Sequence, residues 1–324
     1  MNFNQFKEKY QKFEVEEFPN KVTYSPLVSV LVQTYNHENY IRECLDSILY
    51  QKTDFDFEIL LGEDYSTDTT REICKDYAEK NPENIRLFLH HPDNKIIING
   101  VSTGNFNAFY NFYKAQGKYI AFCEGDDRWR DPFKLQKHIN SFKTNFRLVM
   151  NYHSYITVDH NSNLFQTYQM KLQPIGNISG TQLLEGKFHP LLSTTCFKKV
   201  FNEIPLEMTQ VMNVDTFLIS LLGNFGDAIY LKNIFPSAYR IHKGGMWSLK
   251  EKKQKYLSKI LTFTKLEEFY LSQGNKRLSQ FYRDKKANTF KMAAVFYFLN
   301  LNFFQFIQNV WNYIKTKFFN LKFL

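Results

Sequence analysis

Short apolar runs alternate with amphipathic segments along the first half of the chain. Four apolar runs predict buried strands, at residues 27–33, 57–61, 85–89 and 119–123. Between them, apolar positions recur at helical spacing, which predicts helices over about 36–49, 68–80 and 105–116. Strands and helices that alternate in this order favour an α/β fold, in which right-handed crossovers wrap a mostly parallel sheet in a Rossmann-like manner.

The periodicity is weaker beyond Phe133. The elements expected there are strands at residues 148–156 and 191–197 and helices over residues 215–222 and 251–287. The N-terminal residues are polar and charged, without a continuous apolar stretch. The expected regions are an N-terminal lead-in, an α/β domain and a helical C-terminal extension, at residues 1–26, 27–250 and 251–324.

Polar residues follow three of the predicted strands directly. Tyr35 comes after the first strand, Asp64 after the second, and Glu124, Asp126 and Asp127 after the fourth. Because ligands bind at the carboxyl ends of the strands in parallel sheets, we expect these side chains to line one site. Asn36, Ser66 and Asp68 are also candidate helix caps, and capping is compatible with binding.

Three carboxylates within four residues are unfavourable unless a cation neutralises them. One interpretation of Glu124, Asp126 and Asp127 is a site for Mg²⁺ or Mn²⁺, which prefer oxygen ligands and complete their shells with water and phosphate. The alternative is a solvated acidic turn that caps a helix starting near Pro132. The local sequence alone leaves both open.

Composition and charge narrow the function classes. A hydrophobic content of 44% with 23% charged residues is typical of a globular protein. Of the net charge of +9, residues 251–324 carry +10, so the body is almost neutral and a nucleic-acid-binding body is not expected. The four cysteines have no metal-binding spacing and are expected to be reduced core residues of a cytoplasmic protein without a signal peptide.

Four segments resemble one family in order and spacing. They are residues 29–36 (SVLVQTYN), 58–68 (EILLGEDYSTD), 124–129 (EGDDRW) and 239–248 (YRIHKGGMWS). Together they are similar to the family 2 glycosyltransferases, which have the GT-A fold, and the last segment resembles a loop of members that modify surface polysaccharides. The resemblance covers residues 27–248 and implies transfer of a sugar from a nucleoside diphosphate.

The resemblance also implies roles for individual residues. Tyr35 would stack on uracil, and Asp64 would accept a hydrogen bond from a base N–H; a Tyr35 buried under the next helix is the alternative. The Glu124-Gly125-Asp126 triplet corresponds to the family's Asp-x-Asp motif. Asp126 would bind the metal, Glu124 would reach the ribose or a metal-bound water, and Gly125 would let the backbone approach the donor. Next to Asp64 the chain departs from the family, since a tyrosine replaces a frequent glycine.

The catalytic base of the family is a carboxylate that begins a later helix. Asp215 has that position, with Glu203 and Glu207 as nearby competitors and an ordinary helix cap as the alternative role. Partial burial is expected to raise the pKa of Asp215 toward that of a working base. His242 is expected as a late metal ligand or a diphosphate contact, with an ordinary surface histidine as the alternative.

Two interpretations of the basic, aromatic segment 276–324 remain open. An amphipathic helix could lie on an anionic membrane surface, with eight cations facing the headgroups: Arg277, Arg283, Lys285, Lys286, Lys291, Lys315, Lys317 and Lys322. Alternatively, its aromatic face packs on the catalytic domain or on another subunit. A membrane-spanning helix is disfavoured, because residues 292–314 include six amide side chains.

The predicted function is an inverting, metal-dependent transfer from a nucleoside-diphosphate sugar to a hydroxyl of a lipid-linked or surface glycan. The resemblance implies that the donor is a UDP-sugar. The Gln-x-x-Arg-Trp motif of processive synthases is absent, so one sugar per encounter is expected, at the inner face of the membrane. A sugar-nucleotide pyrophosphorylase and a non-catalytic nucleotide-sugar-binding protein are the alternatives. The sequence leaves the oligomeric state open.

Overall fold

A computed structural model describes residues 1–22, 25–165, 176–187, 189–245 and 251–318. Its strands are Glu16–Glu17 (β1), Val28–Thr34 (β2), Phe57–Glu63 (β3), Ile85–Leu89 (β4), Ile97–Ile98 (β5), Val101–Ser102 (β6), Tyr119–Phe122 (β7), Leu148–Tyr152 (β8), Tyr155–Val158 (β9), Thr195–Lys198 (β10), Asp227–Tyr230 (β11) and Ser237–Arg240 (β12). Its α-helices are Phe3–Tyr10 (α1), Ile41–Leu49 (α2), Thr70–Lys80 (α3), Asn105–Lys114 (α4), Lys134–Thr144 (α5), Gly180–Leu184 (α6), Val214–Leu222 (α7), Lys252–Ser272 (α8), Lys276–Leu299 (α9) and Phe303–Phe318 (α10).

A sheet of eight strands forms the centre of the molecule, in the order β1-β4-β3-β2-β7-β10-β8-β11. The neighbours β4, β3, β2 and β7 are parallel, as the sequence pattern predicts. Because β2 pairs with both β3 and β7, the carboxyl ends of these three strands meet at one edge. β10 is antiparallel to both β7 and β8, a pairing between distant segments that local periodicity does not reveal.

The expected strand over residues 148–156 is divided in the structure. β8 belongs to the large sheet, whereas β9 pairs with β12 in a separate ladder. The chain changes direction between them at His153 and Ser154. This division matters for the site, because the antiparallel bridge Arg128–Ala238 holds β12 beside residues 124–127, called the acidic segment below.

Apolar side chains fill both faces of the sheet. One cluster packs α2, α3 and α5 against the sheet, and the other packs α4, α7 and the C-terminal helices against its opposite face. The N-terminal residues belong to the second cluster, since Phe6 of α1 is fully buried and stacks on Phe106 at 5.2 Å. The expected polar lead-in therefore contains a helix that packs on the body. Its single buried phenylalanine gives no helical periodicity from which the helix could be predicted. All four cysteines are free and buried, as expected.

The C-terminal helices α8 and α9 pack on the α/β body. Tyr270 and Tyr282 are buried, stack at 5.7 Å and hydrogen bond to Ser220 of α7. α10 folds back on α9, with the polar Asn309 and Thr316 buried on its inner face. Among the described helices, none has an apolar stretch long enough to cross a bilayer.

Candidate functional site

The ends of β2, β3 and β7 bring the predicted polar residues to one edge of the sheet. Asp64 N–H donates to the carbonyl of Thr34 at 3.0 Å, and Gly125 N–H donates to the carbonyl of Gln33 at 2.9 Å. The end of β2 is thus bonded to the segments that follow both neighbouring strands. This places Tyr35, Asp64 and the acidic segment in one row.

Asn36 does not cap the following helix as the sequence suggests. α2 begins at Ile41 with Tyr40 at its N-cap position, four residues after Asn36. Asn36 itself has a positive φ of 55°. Its side-chain oxygen instead accepts a hydrogen bond from Thr67 N–H at 2.8 Å, while its own N–H donates to Ser66 Oγ at 2.9 Å. Asn36 therefore ties together the loops that carry Tyr35 and Asp64.

One end of the row consists of Tyr35, Asp64 and Lys95. The Tyr35 ring is 43% exposed, so it is not buried under α2, which was the alternative. Lys95 Nζ lies 3.8 Å from the centre of that ring and 3.4 Å from Asp64 Oδ2. An aromatic face, a hydrogen-bond acceptor and a cationic donor are therefore adjacent, a combination suited to a planar ring with N–H and C=O groups on its edge.

Burial controls the charge of Asp64. It raises the pKa of Asp64 to about 7, against the opposing effect of the Lys95 ammonium group. The neighbouring Tyr65 adopts a φ of 62°, the left-handed conformation that glycine takes readily. Tyr65 therefore adopts the backbone conformation that the family's frequent glycine would take. Its ring packs against the Arg71 guanidinium group at 5.0 Å.

Asp126 and two histidines form the centre of the row. His242 Nε2 lies 2.9 Å from Asp126 Oδ2, and His37 Nε2 lies 4.0 Å from the same oxygen. One ligand atom from each residue falls within 4.8 Å of the others, and all three residues are partly buried. A carboxylate oxygen and two imidazole nitrogens at this separation fit a divalent cation.

The electrostatics of the acidic segment also fit a cation. Burial, together with the charges of Asp126, Asp127 and Asp215, raises the pKa of Glu124 to about 8. Burial likewise acts to raise the pKa of Asp126, but the imidazoles of His242 and His37 hold it below its ordinary value. Negative charges at this edge repel each other, and a bound cation would relieve that repulsion.

Asp127 has a structural role that differs from helix capping. It is buried, and its Oδ1 accepts a hydrogen bond from Arg240 N–H at 3.0 Å. Arg240 Nε donates to the carbonyl of Asp126 at 2.9 Å. α5 begins only at Lys134, and the carboxylate next to its start is Asp131. Asp127 thus fixes β12, the strand that precedes His242 by two residues, beside the acidic segment.

Gly125 is required by packing within the protein. A Cβ at this position would lie 2.8 Å from His37 Nδ1 and 2.8 Å from Thr34 Oγ1. The contacts of His37 and Thr34 alone therefore explain why a glycine stands here. Close approach of the backbone to a donor, the role that the resemblance implies for Gly125, stays a prediction. The neighbouring Trp129 is buried, and its ring N–H donates to the carbonyl of Phe122, which is a packing role.

Asp215 lies in the first turn of α7, as predicted, with its side chain 31% exposed. Its Oδ2 is 3.1 Å from His189 Nε2, and its charge acts on Glu124. The expectation that its pKa is raised is wrong. Burial acts in that direction, but the His189 imidazole and hydrogen bonds from Thr216 hold the pKa of Asp215 below its ordinary value. Of its competitors, Glu203 lies beside the backbone nitrogen of Met1, at 3.5 Å.

The residues that sequence reasoning missed are Lys95, His37 and His189. Of these three, His37 alone had a local signal in the sequence, because it directly follows Asn36, the last residue of the segment 29–36 that resembles the family. Lys95 and His189 reach the site from loops whose course depends on the fold. Met246, Trp247 and Ser248, which extend the segment of His242, lie outside the described residues.

Comparisons with known proteins agree with this geometry. The family model described as glycosyl transferase family 2 matches residues 29–203. An uncharacterized protein of Mycobacterium tuberculosis is 28% identical over 225 residues, covering 68% of this chain and 60% of the relative. TuaG of Bacillus subtilis, a putative teichuronic acid biosynthesis glycosyltransferase, is 34% identical over 116 residues, covering 36% of this chain and 42% of the relative. The chain thus spans about three fifths of the length of the mycobacterial relative.

Solved structures share the fold at low sequence identity. Residues 1–349 of S. aureus TarS, in complex with UDP-GlcNAc, match with a TM-score of 0.60 at 16% identity, over 89% of this chain and 81% of that chain. The same TarS fragment in complex with UDP matches with a TM-score of 0.54 at 15% identity, over 90% of both chains. The mixed sheet flanked by helices is the arrangement of these structures.

Proposed function

Because the chain belongs to glycosyl transferase family 2, we propose that it transfers a sugar from a nucleoside-diphosphate sugar to a hydroxyl acceptor. The observation that carries this proposal is the row along the sheet edge. It begins with Tyr35 and Asp64 and continues with Asp126 and His242, and Asp215 of α7 is close enough for its charge to act on Glu124. A base site and a cation site thus lie next to each other, as the base and the diphosphate do in a nucleotide sugar, and a candidate proton acceptor lies within electrostatic range of them.

The base end favours uracil. Uracil presents an N–H between two carbonyl groups, so Asp64 would accept from the N–H while Lys95 donates to an adjacent carbonyl. Tyr35 offers its exposed ring for stacking. TarS, which shares the fold, was crystallised with UDP and with UDP-GlcNAc, and this adds support for a UDP-sugar.

Replacing Lys95 with alanine is expected to weaken UDP binding by at least about tenfold at pH 7, since a hydrogen bond to a charged group contributes roughly 1.5–3 kcal/mol. The loss has a second source. Without the ammonium group, the pKa of Asp64 rises above about 7, and its protonated, uncharged form is a weaker acceptor for the base N–H. Titration calorimetry with UDP at pH 7 and pH 8.5 separates the lost hydrogen bond from the protonation of Asp64. UDP affinity of the variant should partly recover at pH 8.5, where Asp64 is again ionised.

A matched control for this variant is Lys52→Ala. Lys52 also lies over an aromatic ring, 5.7 Å from the centre of Tyr50, but its side chain is exposed on the surface. UDP affinity should be unchanged in that variant. Equal UDP affinities of the wild type and Lys95→Ala would contradict the base-site assignment.

We propose an inverting single displacement at the sugar. The acceptor oxygen bonds to the anomeric carbon as the bond from that carbon to the diphosphate breaks, and the hydroxyl proton passes to Asp215. The lowered pKa of Asp215 keeps this carboxylate ionised and ready to accept a proton. A divalent cation held by Asp126 and His242, Mn²⁺ or Mg²⁺, would neutralise charge that develops on the leaving diphosphate.

A donor panel tests the proposed function. The protein is incubated with Mn²⁺ and UDP-glucose, UDP-GlcNAc, UDP-galactose or GDP-mannose, and both thermal stabilisation and nucleoside-diphosphate release are measured. Stabilisation and UDP release with at least one UDP-sugar are expected. Stabilisation without release, even with glycan or glycolipid acceptors, would favour a non-catalytic binding protein. Formation of UTP from UDP-sugar and pyrophosphate would favour a pyrophosphorylase.

For the acceptor we propose a glycan or glycolipid at an anionic membrane surface, on which the α9–α10 hairpin lies. Apolar side chains at its tip and outer face are 51–77% exposed: Met292, Val295, Phe298, Leu299, Leu301, Phe303, Phe304, Ile307, Trp311 and Phe318. The buried residues of α10 are the polar Asn309 and Thr316, whereas these large apolar side chains face outward. Such a surface fits the interfacial region of a bilayer.

The structure revises which cations would face the headgroups. Five of the eight candidates bind protein groups: Arg277 to Glu185, Arg283 and Lys286 to Glu267, Lys285 to the carbonyls of Glu185 and Gly186, and Lys317 to Asp284. Their geometry ties the helices to the body and to each other. Lys291 and Lys315 are exposed, whereas Lys322 lies outside the described residues. Apolar insertion at the hairpin is thus the main contribution we propose.

Substituting both Phe304 and Trp311 with serine is expected to reduce sedimentation with vesicles of phosphatidylcholine and phosphatidylglycerol by at least about tenfold. Burying each aromatic side chain contributes roughly 1.5–3 kcal/mol, so two substitutions remove a large share of the binding energy. The control is Phe146→Ser, which alters an apolar residue that is 91% exposed on the α/β body. Unchanged sedimentation contradicts the membrane assignment, and a concentration-dependent dimer that the double variant abolishes would indicate a second copy instead.

A further inference from the structure

The site holds a third potential metal ligand, His37, which the family resemblance does not assign. We propose that His37, Asp126 and His242 together form a preassembled site, with two imidazoles and one carboxylate, that binds Mn²⁺ before the nucleotide arrives and discriminates against Mg²⁺. This inference deepens the proposed function and rests on it only for the reaction that the cation serves. Metal binding itself is measurable without a donor or an acceptor.

The orientation of His37 is fixed by its neighbours. Its Nδ1 is 3.2 Å from Thr34 Oγ1, and its backbone N–H donates to Thr70 Oγ1 at 2.8 Å. Gly125 leaves the space that the ring needs, since a Cβ there would lie 2.8 Å from His37 Nδ1. With Nδ1 engaged by Thr34, Nε2 is directed at Asp126, as in metal sites whose histidines are oriented through their other ring nitrogen.

His242 is held as firmly from the opposite side. It follows β12 by two residues, and β12 is fastened to the acidic segment by the bonds of Arg240 to Asp127 Oδ1 and to the carbonyl of Asp126. The Tyr40 ring packs on His242 at 4.8 Å and is itself covered by the Arg240 guanidinium group at 4.6 Å. Both imidazoles are therefore positioned by protein contacts that do not depend on a nucleotide.

The chemistry of these ligands determines the metal preference. Mg²⁺ prefers oxygen ligands and keeps several waters, so it is usually bound by one or two carboxylates together with substrate phosphates. Imidazole favours transition metals, and the affinity of a nitrogen and oxygen site rises from Mn²⁺ to Cu²⁺ along the first transition row. An Asp126 carboxylate with only water and phosphate partners would bind Mn²⁺ and Mg²⁺ similarly. With two histidines, it would bind Mn²⁺ without nucleotide and Mg²⁺ much more weakly.

A purely structural role would need only one of the two histidines. Asp126 already has a hydrogen-bond partner in His242 at 2.9 Å, whereas His37 Nε2 stands 4.0 Å from the carboxylate, too far for a direct hydrogen bond. A cation between the three ligand atoms would account for this separation. The two imidazole rings lie 5.9 Å apart, centre to centre, and face the same carboxylate.

Titration calorimetry and Mn²⁺ electron spin echo spectroscopy test this inference on the metal-free 324-residue chain without nucleotide. We expect one Mn²⁺ per chain, with Mg²⁺ at least about tenfold weaker, and modulation from coordinated imidazole nitrogen. His37→Ala should weaken Mn²⁺ binding at least about tenfold, because even outer-shell partners of a metal contribute that much. It should also reduce the nitrogen modulation relative to the wild type.

The controls are His160→Gln, which alters an exposed histidine, and His37→Gln, which keeps a polar side chain of similar reach if the alanine variant fails to fold. His160→Gln should bind Mn²⁺ like the wild type, and His37→Gln should lose the same nitrogen signal as His37→Ala. Equal affinities for Mn²⁺ and Mg²⁺, or undiminished nitrogen modulation in a folded His37 variant, would overturn the inference. In that case the wild type could still release UDP from a UDP-sugar at saturating Mn²⁺. Failure of the metal inference can therefore be distinguished from failure of the proposed function.

Discussion

Replacing Asp126 with alanine is expected to lower nucleoside-diphosphate release from a UDP-sugar by about 100- to 1,000-fold, the loss found when a group that stabilises developing charge is removed. Among the residues that the structure describes, Asp126 is the one whose carboxylate faces both His242 and His37. Its removal leaves the two imidazoles without the carboxylate that lies between them. The measurement is UDP release at saturating Mn²⁺, together with UDP affinity with and without Mn²⁺, which should become equal in the variant.

Asp126→Ala should fold, because the groups that hold the segment are retained. The Asp126 carbonyl still accepts from Arg240 Nε, and Asp127 still fastens β12. Asp76→Ala is a matched control, since it removes a partly exposed carboxylate from α3 that pairs only with Lys80 among the described residues. Turnover close to that of the wild type in Asp126→Ala, or an equal loss in Asp76→Ala, would contradict the metal assignment.

The sequence predicts the frame of the site because its elements are local. Each of the parallel strands β2, β3, β4 and β7 is a short apolar run bounded by polar residues, and their alternation with helices predicts a parallel sheet. Tyr35 and Asp64 could be placed at the sheet edge for the same reason, since each directly follows a strand. The family resemblance then supplied roles for Asp126, His242 and Asp215.

Contacts between distant segments account for what the sequence did not predict. Lys95 reaches Tyr35 from a loop beyond β4, and His189 reaches Asp215 from a loop before β10. The pKa of Asp215 depended on that second contact, so an expectation based on burial alone had the wrong sign. β10 was unexpected in its pairing for the same reason, because its two antiparallel partners lie far away along the chain.

Replacing Asp215 with asparagine is expected to lower turnover by about 10²- to 10⁴-fold, the range for removing a general base, with little change in UDP affinity. Asparagine keeps the size of the side chain and the oxygen that accepts from Thr216 N–H at 2.7 Å, so the start of α7 should be preserved. It cannot accept the proton of the acceptor hydroxyl. The measurement is kcat for UDP release with UDP affinity and thermal midpoint as controls. Loss of UDP binding in parallel with kcat would instead indicate a structural role.

The pH dependence separates a base from a residue that only positions the helix. In the wild type, the His189 imidazole holds the pKa of Asp215 below its ordinary value, so the carboxylate stays ionised and turnover should fall only at low pH. In His189→Asn that positive charge is gone, and burial then raises the pKa of Asp215. The acid limb of the kcat profile should therefore move to higher pH, while turnover on its alkaline side is retained. An acid limb at the same pH in both proteins would mean that a group other than Asp215 accepts the proton.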